Sequence, residues 1–330
     1  MNSNTRGLKK IYEIEILKIE KIIKASYVDR SPKSLYIPYS YPLLSRGKLL
    51  RPLLVLLSAK AVGGSYSNVR NAAAAVELAH ISSLVHDDIM DKSSVRRGMP
   101  TLHTAYNIDT SIIVGDTLIF NAYKHLLQDS SKNTKIILDI FTKAAILMCE
   151  GQSLDMEFEK RDCVSVKEYK DMVYKKTAVL LETACLLGAY IAGGNKVHID
   201  AVSKFGKFLG IAFQIQDDLL DISSDGKNFG KEIGLDFLNN KKTYIYLRFL
   251  ERASVSDIEN SIVTTTTKTA KNRAIKAYKD ACIRLGVLHD AELEIFENAR
   301  HALKSLECLP ENEGKQLLIS LLGEILVVKT

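Results

Sequence analysis

The order of apolar and polar residues predicts helices along almost the whole chain. Between residues 11 and 23, isoleucines recur at intervals of one to three positions among lysines and glutamates, which is typical of an amphipathic helix. Apolar residues with helical spacing return in later segments, and no segment shows the clear alternation that indicates a strand. Further predicted helices cover Thr110–Leu127, Lys135–Glu159, Val197–Asp221 and about residues 268–285, 290–306 and 312–328. We therefore predict an all-α fold, a bundle of ten or more helices.

Proline and glycine residues divide the predicted helices. Pro32, Pro38 and Pro42 should break the chain into a loop, and the next helix should begin at Pro52 and end at Gly63–Gly64. A length of 330 residues alone suggests about two domains. Because no linker of the expected kind lies near the middle of the chain, we predict a single domain over residues 1–330.

Two trios of aspartates follow apolar helical runs. The first trio is Asp87, Asp88 and Asp91, and the second is Asp217, Asp218 and Asp221. Because residues three or four apart share one face of a helix, each trio crowds onto one arc at a helix end. One such trio by itself is compatible with a solvated helix end. Two matching trios, each after an apolar run, favour a functional site.

The chemistry of the two trios predicts a metal ion and a phosphorylated substrate. At about 4 Å and an effective dielectric constant of about 20, each pair of like charges costs about 4 kcal/mol. If the trios face each other, cations have to offset this repulsion. The available ligands are oxygens, without thiolates or clustered histidines, and this donor set suits Mg²⁺. Mg²⁺ usually keeps part of its coordination shell for water and substrate phosphates.

The composition excludes several other classes of protein. With 46% hydrophobic and 25% charged residues, the chain is typical of a globular protein, and its net charge of +6 suits small polyanionic substrates. The basic residues are not clustered as a nucleic-acid site requires. Five scattered cysteines without a CxxC motif indicate reduced thiols. We see no signal-peptide core and no apolar run of ~18 residues, so we expect a cytoplasmic protein without a membrane span.

The residues between Gly47 and Lys242 resemble the trans-prenyltransferases, the head-to-tail isoprenyl diphosphate synthases of the polyprenyl synthetase family. The resemblance runs through seven ordered motifs, among them the two aspartate trios and the GQxxD pattern of Gly151–Asp155. It implies an isoprenoid synthase fold with a deep central apolar cavity, and a homodimer. It also implies the condensation of isopentenyl diphosphate with an allylic prenyl diphosphate, assisted by two or three Mg²⁺ ions per site.

The resemblance also implies a role for individual residues. The metal ions would be held by Asp87, Asp88, Asp91, Asp155 and Asp217, with Asp218 and Asp221 in support. Isopentenyl diphosphate would be bound by Lys48, Arg51, His80 and Arg97. The allylic diphosphate, which becomes the leaving group, would contact Arg96, Lys176, Lys231 and Lys241, and the carbocation would lie near Thr177 and Gln214. Gln152 would also face the metal site.

Some of these assignments have a simpler alternative. Without the resemblance, a lone histidine such as His80 is more often a packed core residue, and the lysine- and glycine-rich loop around Lys231 is usually just solvated. The chain also departs from the family at two places. Leu49 stands where the family often has an arginine. The usual GKxT motif is replaced by Asn240-Lys241-Lys242-Thr243, where we assign the role to Lys241 rather than Lys242.

Small residues before the first trio predict the length of the product. In the family, the residues four and five before the first aspartate form the floor under the growing prenyl tail, and here they are Ser83 and Ser82. Ala79, one turn below, adds no obvious block. One helical turn rises ~5.4 Å, about one isoprene unit. The product should therefore be longer than farnesyl diphosphate, and geranylgeranyl diphosphate is the expected product.

Other functions remain open on the sequence alone. A longer-chain polyprenyl diphosphate synthase and a non-catalytic subunit of a heteromeric synthase are the main alternatives, although such subunits typically lose an aspartate cluster. A terpene cyclase usually keeps only one of the two clusters. A metal phosphohydrolase would depend on His86 beside the first trio and would need further histidine ligands.

Overall fold

The computed structural model describes residues 11–45, 47–128, 133–223, 234–261 and 267–326, and this part of the chain is all-α, as predicted. The helices are α1 (Leu17–Lys24), α2 (Lys33–Ser40), α3 (Leu50–Ala61), α4 (Arg70–Met90), α5 (Leu102–Ala105), α6 (Ile108–Gln128), α7 (Thr134–Phe158), α8 (Val166–Val173), α9 (Val179–Ile191), α10 (Lys196–Ser223), α11 (Leu235–Leu238), α12 (Tyr244–Arg252), α13 (Val255–Ser261), α14 (Lys268–Arg284), α15 (Val287–Ser305) and α16 (Glu313–Ile325). Two π-helical turns cover Tyr12–Ile16 and Tyr174–Ala178, and short 3₁₀ turns cover Tyr41–Leu43 and Tyr66–Val69.

The chain forms two compact units. The first comprises Met1–Ile146, Leu180–Gly206 and Leu303–Glu324, and the second comprises Leu147–Val179, Lys207–Ala302 and Ile325–Thr330. The single domain expected over residues 1–330 stays a prediction. Among the described helices, none combines the length and the apolar character needed to cross a membrane.

Helix α4 is the centre of the first unit. It packs against α6, and also against α1 and α3. The four alanines of residues 72–75 are completely buried, and the facing side of α6 buries Val114, Gly115 and Leu118. Alanine favours helix and adds little width, so the two helices approach closely along this seam. The carboxyl end of α4 then carries the first aspartate trio.

An aromatic core holds the second unit together. Tyr169 of α8, Phe249 of α12 and Tyr278 of α14 are all at most 2% exposed. The rings of Phe237 and Tyr278 stack with their centroids 4.3 Å apart. Helix α8 begins with a capping box, in which Ser165 and Glu168 exchange hydrogen bonds. These contacts fix the position of α8 beside α12.

The structure corrects two local expectations. Residues 33–40, expected to be part of a proline-broken loop, form α2, because Pro32 supplies the extended residue before the helix and accepts hydrogen bonds from the N–H groups of Leu35 and Tyr36. The loop after the first trio contains a small antiparallel hairpin, with β1 (Val95–Arg96) paired to β2 (Met99–Pro100). Two-residue strands are too short to produce a periodic pattern in the sequence.

Candidate active site

The first aspartate trio lies at the end of α4, and its members differ in exposure. Asp88 is 5% exposed and accepts a hydrogen bond from Nε of Arg96 at 2.8 Å. Burial raises the pKa of Asp88, and the Arg96 guanidinium opposes that rise. Asp87 is half-buried and Asp91 is exposed. The structure therefore joins Asp88 to the first of the two predicted arginines and leaves Asp87 and Asp91 nearer to solvent.

The hairpin turn places the second predicted arginine, Arg97, against the Gly47 segment. Arg97 and Gly98 both have positive φ, +51° and +75°, which is the conformation of a tight two-residue hairpin turn. Nη1 of Arg97 donates to the carbonyl oxygen of Ser45 at 2.9 Å. A Cβ atom at Gly47 would lie 2.6 Å from Nη2 of Arg97, so a larger residue would displace the Arg97 guanidinium from this position. Lys48, next in the chain, is exposed.

Arg51 and His80 lie in the same charged environment. Nε of Arg51 is buried and has no hydrogen-bond partner among the described residues. Burial lowers the pKa of Arg51 to about 10, although the carboxylate of Glu77 favours its charged form. Burial also lowers the pKa of His80 well below its ordinary value, and the positive charges of Arg51 and Arg97 act in the same direction. The His80 ring is therefore neutral near pH 7 and able to donate one hydrogen bond.

Glu77 is a charged residue of this cluster that the sequence analysis missed. It lies one turn before His80 on α4 and is 4% exposed. Burial raises the pKa of Glu77 to about 7, while the guanidinium groups of Arg51 and Arg97 oppose the rise. The sequence does contain a signal for it, since Glu77 is a single acidic residue within the apolar run of α4. A carboxylate buried in such a run requires a cationic or hydrogen-bonding partner.

A pocket opens beside the first trio. Its lining includes the charged residues Asp88, Arg96 and Arg97 and the apolar residues Ile81, Val85 and Leu102. A pocket lined by both cationic and apolar side chains suits an amphiphilic ligand that has an anionic head and a short hydrocarbon chain.

The predicted chain-length residues lie along the seam between α4 and α6. The Ser82 hydroxyl donates to the carbonyl oxygen of Gly115 at 2.8 Å and is buried, so this side chain is directed at α6. Ser83 is half-buried and its hydroxyl donates to the carbonyl oxygen of His80. Ala79 is 4% exposed. Of the three, Ser83 retains the most exposed side chain, which makes it the strongest candidate for contact with a ligand.

His86, the residue on which a phosphohydrolase would depend, packs against α6. A Cβ atom at Gly115 would lie 2.2 Å from Nε2 of His86, so the glycine makes room for the ring. Nε2 also lies 3.4 Å from the carbonyl oxygen of Ile112 and 3.7 Å from a carboxylate oxygen of Asp116. Its ring nitrogen is thus directed at α6, an arrangement that gives the phosphohydrolase alternative no support.

In the second unit, a buried carboxylate holds two of the predicted lysines together. Oδ2 of Asp155 lies 2.5 Å from Nζ of Lys176 and 3.1 Å from Nζ of Lys241, and Lys241 also pairs with Glu159 at 2.6 Å. Burial by itself raises the pKa of Asp155, but the two ammonium groups bring it below its ordinary value. The structure thus joins Lys241 to Lys176, whereas Lys242 donates to the side-chain oxygen of Asn240.

Close packing sets the position of Lys176 and Thr177. Both lie in the π-helical turn Tyr174–Ala178, and a Cβ atom at Gly151 would lie 2.3 Å from the backbone nitrogen of Lys176. The mid-helix glycine of the GQxxD pattern is therefore required by this contact. Both amide atoms of the neighbouring Gln152 are buried without a hydrogen-bond partner among the described residues.

The second aspartate trio places its members in three different environments. Asp217 is exposed, whereas Asp218 is 5% exposed and accepts hydrogen bonds from three donors. These are the Tyr169 hydroxyl at 2.6 Å, the Tyr244 N–H at 3.0 Å and Nε2 of Gln214 at 3.0 Å. Burial raises the pKa of Asp218 to about 7, and the three donors act against that rise. Asp221 accepts a hydrogen bond from the N–H of Asp236.

Thr177 and Gln214 meet directly. The Thr177 hydroxyl donates to Oε1 of Gln214 at 2.9 Å. The two residues predicted to lie near a carbocation are therefore in direct contact in the second unit. The predicted Lys231 lies outside the described residues.

Comparison with known proteins places this geometry in a family. The sequence pattern of the polyprenyl synthetase family matches residues 32–281. A short chain isoprenyl diphosphate synthase of Methanothermobacter thermautotrophicus is 37% identical over 299 residues, which cover 90% of this chain and 91% of the relative. A geranylgeranyl pyrophosphate synthase of Geoglobus acetivorans is 37% identical over 306 residues and covers 92% of each chain. The crystal structure of a geranylgeranyl pyrophosphate synthetase from Pyrococcus horikoshii superposes with a TM-score of 0.90, at 32% identity and 99% coverage of both chains.

Proposed function

The chain belongs to the polyprenyl synthetase family and is a prenyltransferase of the isoprenoid synthase fold, and from that premise we propose its reaction. It condenses isopentenyl diphosphate with an allylic prenyl diphosphate, and its product is geranylgeranyl diphosphate. The relatives named geranylgeranyl diphosphate synthases, at 32–37% identity, support this product. The observation that carries the substrate assignment is the Arg97 guanidinium against Gly47, with the positive charge of Arg51 acting on it and a partly apolar pocket beside it.

In the first unit, the diphosphate of isopentenyl diphosphate is bound by Arg51, Arg97 and Lys48. The guanidinium groups of Arg51 and Arg97 repel one another, and a diphosphate placed between them relieves that repulsion. The buried Nε of Arg51, which has no partner among the described residues, gains an acceptor. Neutral His80 contributes a hydrogen bond and no further charge.

In the second unit, Lys176 and Lys241 receive the leaving diphosphate. Their two ammonium groups are already held together by Asp155, so the positive charge is positioned before the substrate arrives. As the allylic C–O bond breaks, negative charge grows on the diphosphate and positive charge on the allylic carbon. The oxygens of Thr177 and Gln214 stabilise that cation. The double bond of isopentenyl diphosphate then attacks, and the proton is lost to the released diphosphate. Arg96 and Lys231 add further positive charge.

The carboxylates fit magnesium. The donors are all oxygens; Asp91 and Asp217 are exposed, and Asp87 is half-buried, as is Asp221. Asp88 and Asp155 contact cationic side chains, so a metal has to compete with Arg96 and the two lysines for them. We assign direct binding to Asp87, Asp91 and Asp217, with Asp88, Asp155, Asp218 and Asp221 in support, and two or three ions per site. Mg²⁺, when bound, would act as a Lewis acid on the leaving diphosphate.

An exposed apolar stripe on α6 supports a homodimer. Ile113, Phe120 and Leu127 are spaced seven residues apart and therefore share one face of the helix. They are 55%, 70% and 52% exposed. On α7, which packs against α6 through the edge-to-face contact of Tyr123 and Phe141, Ile136 and Ile146 are also exposed. We assign this face to a second copy of the chain. The cytoplasmic location expected from the sequence stays a prediction.

Product analysis tests the proposal. The purified protein is incubated with Mg²⁺, labelled isopentenyl diphosphate and farnesyl diphosphate, and the products are dephosphorylated and separated. Geranylgeraniol alone is the expected result. A ladder of longer alcohols would assign the chain to the long-chain synthases. If the protein consumed isopentenyl diphosphate only after a partner protein was added, the catalytic assignment would be wrong and the subunit alternative would replace it.

A further inference from the structure

Tyr169 is a buried tyrosine whose hydroxyl contacts the second aspartate trio. It is 1% exposed, and its hydroxyl donates to Oδ2 of Asp218 at 2.6 Å. Its ring packs against that of Tyr244 with a centroid separation of 6.1 Å, and its helix α8 begins at the capping box of Ser165. Ring, helix and hydroxyl are therefore all held, and the donor that reaches Asp218 has little freedom to move.

The Asp218 carboxylate in turn fixes the side-chain amide of Gln214. Oδ2 of Asp218 accepts from the Tyr169 hydroxyl and the Tyr244 N–H, and Oδ1 accepts from Nε2 of Gln214 at 3.0 Å. With the ionised carboxylate accepting from all three donors, the amide nitrogen of Gln214, and not its oxygen, faces Asp218. If the amide were flipped, Oε1 of Gln214 would face Oδ1 of Asp218, and the two oxygens would repel each other.

The orientation of the amide decides where the Gln214 oxygen points. With its nitrogen held by Asp218, Oε1 faces Thr177, whose hydroxyl donates to it at 2.9 Å. An amide oxygen has two lone pairs, and the Thr177 hydroxyl uses one of them. The second lone pair is available to a developing positive charge. An amide free to rotate would offer its N–H groups to that charge for part of the time.

We infer that Tyr169 is a positioning residue for the prenyl transfer: it holds Asp218, and through Asp218 it keeps the carbonyl oxygen of Gln214 directed at the allylic cation. The inference rests on the proposed function, because it needs a cation to form beside Thr177 and Gln214. It adds to the proposed site a residue, Tyr169, that lies on a different helix from either aspartate trio. Tyr169 itself is buried, and no substrate contact is assigned to it.

The inference is tested with Tyr169→Phe, which removes only the hydroxyl oxygen of Tyr169. The ring and its packing remain, while Asp218 loses one of its three hydrogen-bond donors. We expect the single-turnover rate of prenyl transfer to fall about tenfold to a hundredfold, since loss of an orienting partner has effects of this size. The KM for isopentenyl diphosphate should stay within about twofold of wild type, because its binding is assigned to Lys48, Arg51, His80 and Arg97 and not to Tyr169 or Gln214.

The matched control is Tyr278→Phe. Tyr278 is equally buried, at 2% exposed, and belongs to the same aromatic core, but it is not among the donors to Asp218. We expect this variant to keep the wild-type rate. Thermal unfolding of both variants measures the structural effect of removing a buried hydroxyl. Equal rates for the two variants would overturn the inference.

A double-mutant cycle separates positioning from general damage. In a Gln214→Ala background, Tyr169→Phe should lower the rate by less than about twofold, because the group that Tyr169 positions is gone. The same large loss in both backgrounds would show that Tyr169 acts by another route, and the inference would be wrong. If Tyr169→Phe does not fold, Asp218→Asn supplies the cycle, with the same non-additivity with Gln214→Ala expected. If the wild-type protein forms no product, the proposed function itself fails and the inference fails with it.

Discussion

Replacing Gly151 by alanine should displace Lys176 and Thr177, the two proposed active-site residues in the π-helical turn, without changing either side chain. A Cβ atom at position 151 would lie 2.3 Å from the backbone nitrogen of Lys176, 2.6 Å from its Cα atom and 2.7 Å from the carbonyl carbon of Lys175. Ordinary contacts of a Cβ atom begin at 3.4 Å. Since all three neighbours are backbone atoms, no side-chain rotation relieves the overlap. The π-helical turn has to move by about 1 Å, the difference between 2.3 and 3.4 Å.

The expected magnitudes follow from that displacement. Overpacking of a core by one methyl group costs about 1–3 kcal/mol, and the better helix propensity of alanine returns up to ~1 kcal/mol. The free energy of unfolding should therefore fall by about 1–2 kcal/mol. The effect on the reaction should be larger, because a misplacement of about 1 Å in a catalytic group lowers the rate by as much as ~100-fold. Lys176 and Thr177 both move with the turn.

The assay compares Gly151→Ala with Gly323→Ala. Gly323 is also within a helix, α16, but a Cβ atom there meets nothing within 4 Å. We expect Gly323→Ala to keep the wild-type rate and to raise the free energy of unfolding by up to ~1 kcal/mol. Denaturant unfolding and single-turnover rates with saturating substrates measure the two effects. A Gly151→Ala protein with wild-type rate and stability would refute the close contact between α7 and the π-helical turn.

Four further outcomes are expected. The raised pKa of Glu77, about 7 against 4.5, means that the folded protein holds a proton that the unfolded chain loses, so the free energy of unfolding falls as the pH rises through this window. Between pH 4 and 8, wild type should lose up to about 3 kcal/mol more than Glu77→Gln, measured by urea unfolding; parallel profiles would contradict this. Ser83→Phe should shorten the product by about one isoprene unit, measured by chromatography of the alcohols, and an unchanged product would remove Ser83 from the floor of the site. Phe120→Glu should turn a dimer into a monomer in sedimentation velocity, and an unchanged sedimentation coefficient would exclude the α6 stripe as the interface. Lys241→Met should lower the single-turnover rate at least about tenfold more than Lys242→Met, whereas the reverse order would exchange their roles.

The helical fold was predictable from local pattern because most helices bury one apolar face. Spacing predicted the helices that became α6, α7 and α10, to within a few residues at their ends. The hydrophobic pattern did not predict short helices and strands whose formation depends on neighbouring residues. Pro38 suggests a break, yet it lies inside the helix that Pro32 begins. The hairpin after the first trio exists because Arg97 and Gly98 adopt positive φ, and only glycine indicates such a conformation in advance.

Many site residues could be identified from the sequence, but the orientation of their side chains could not be predicted from it. The helix spacing places each aspartate trio on one arc, and nothing in it shows that Asp218 is directed inward while Asp217 is exposed. That difference arises from Tyr169 and from the Tyr244 N–H, which come from other helices. Glu77 was missed for a related reason, since its partner Arg51 belongs to another helix, α3.

The structure also changes the electrostatic argument for the metal. The expected repulsion among the carboxylates assumed that only bound ions offset it, but Asp88 contacts Arg96, and Asp155 contacts Lys176 and Lys241. These cations are the groups proposed to bind diphosphates, so each carboxylate holds a cation in place until a substrate competes for it. Exchange of a carboxylate for a diphosphate, which carries more charge and more acceptor oxygens, is favourable only if the released carboxylate gains another cation. Mg²⁺ bound together with the diphosphate would supply that cation. Metal and substrate would then bind to the proposed site with positive coupling, each raising the affinity for the other.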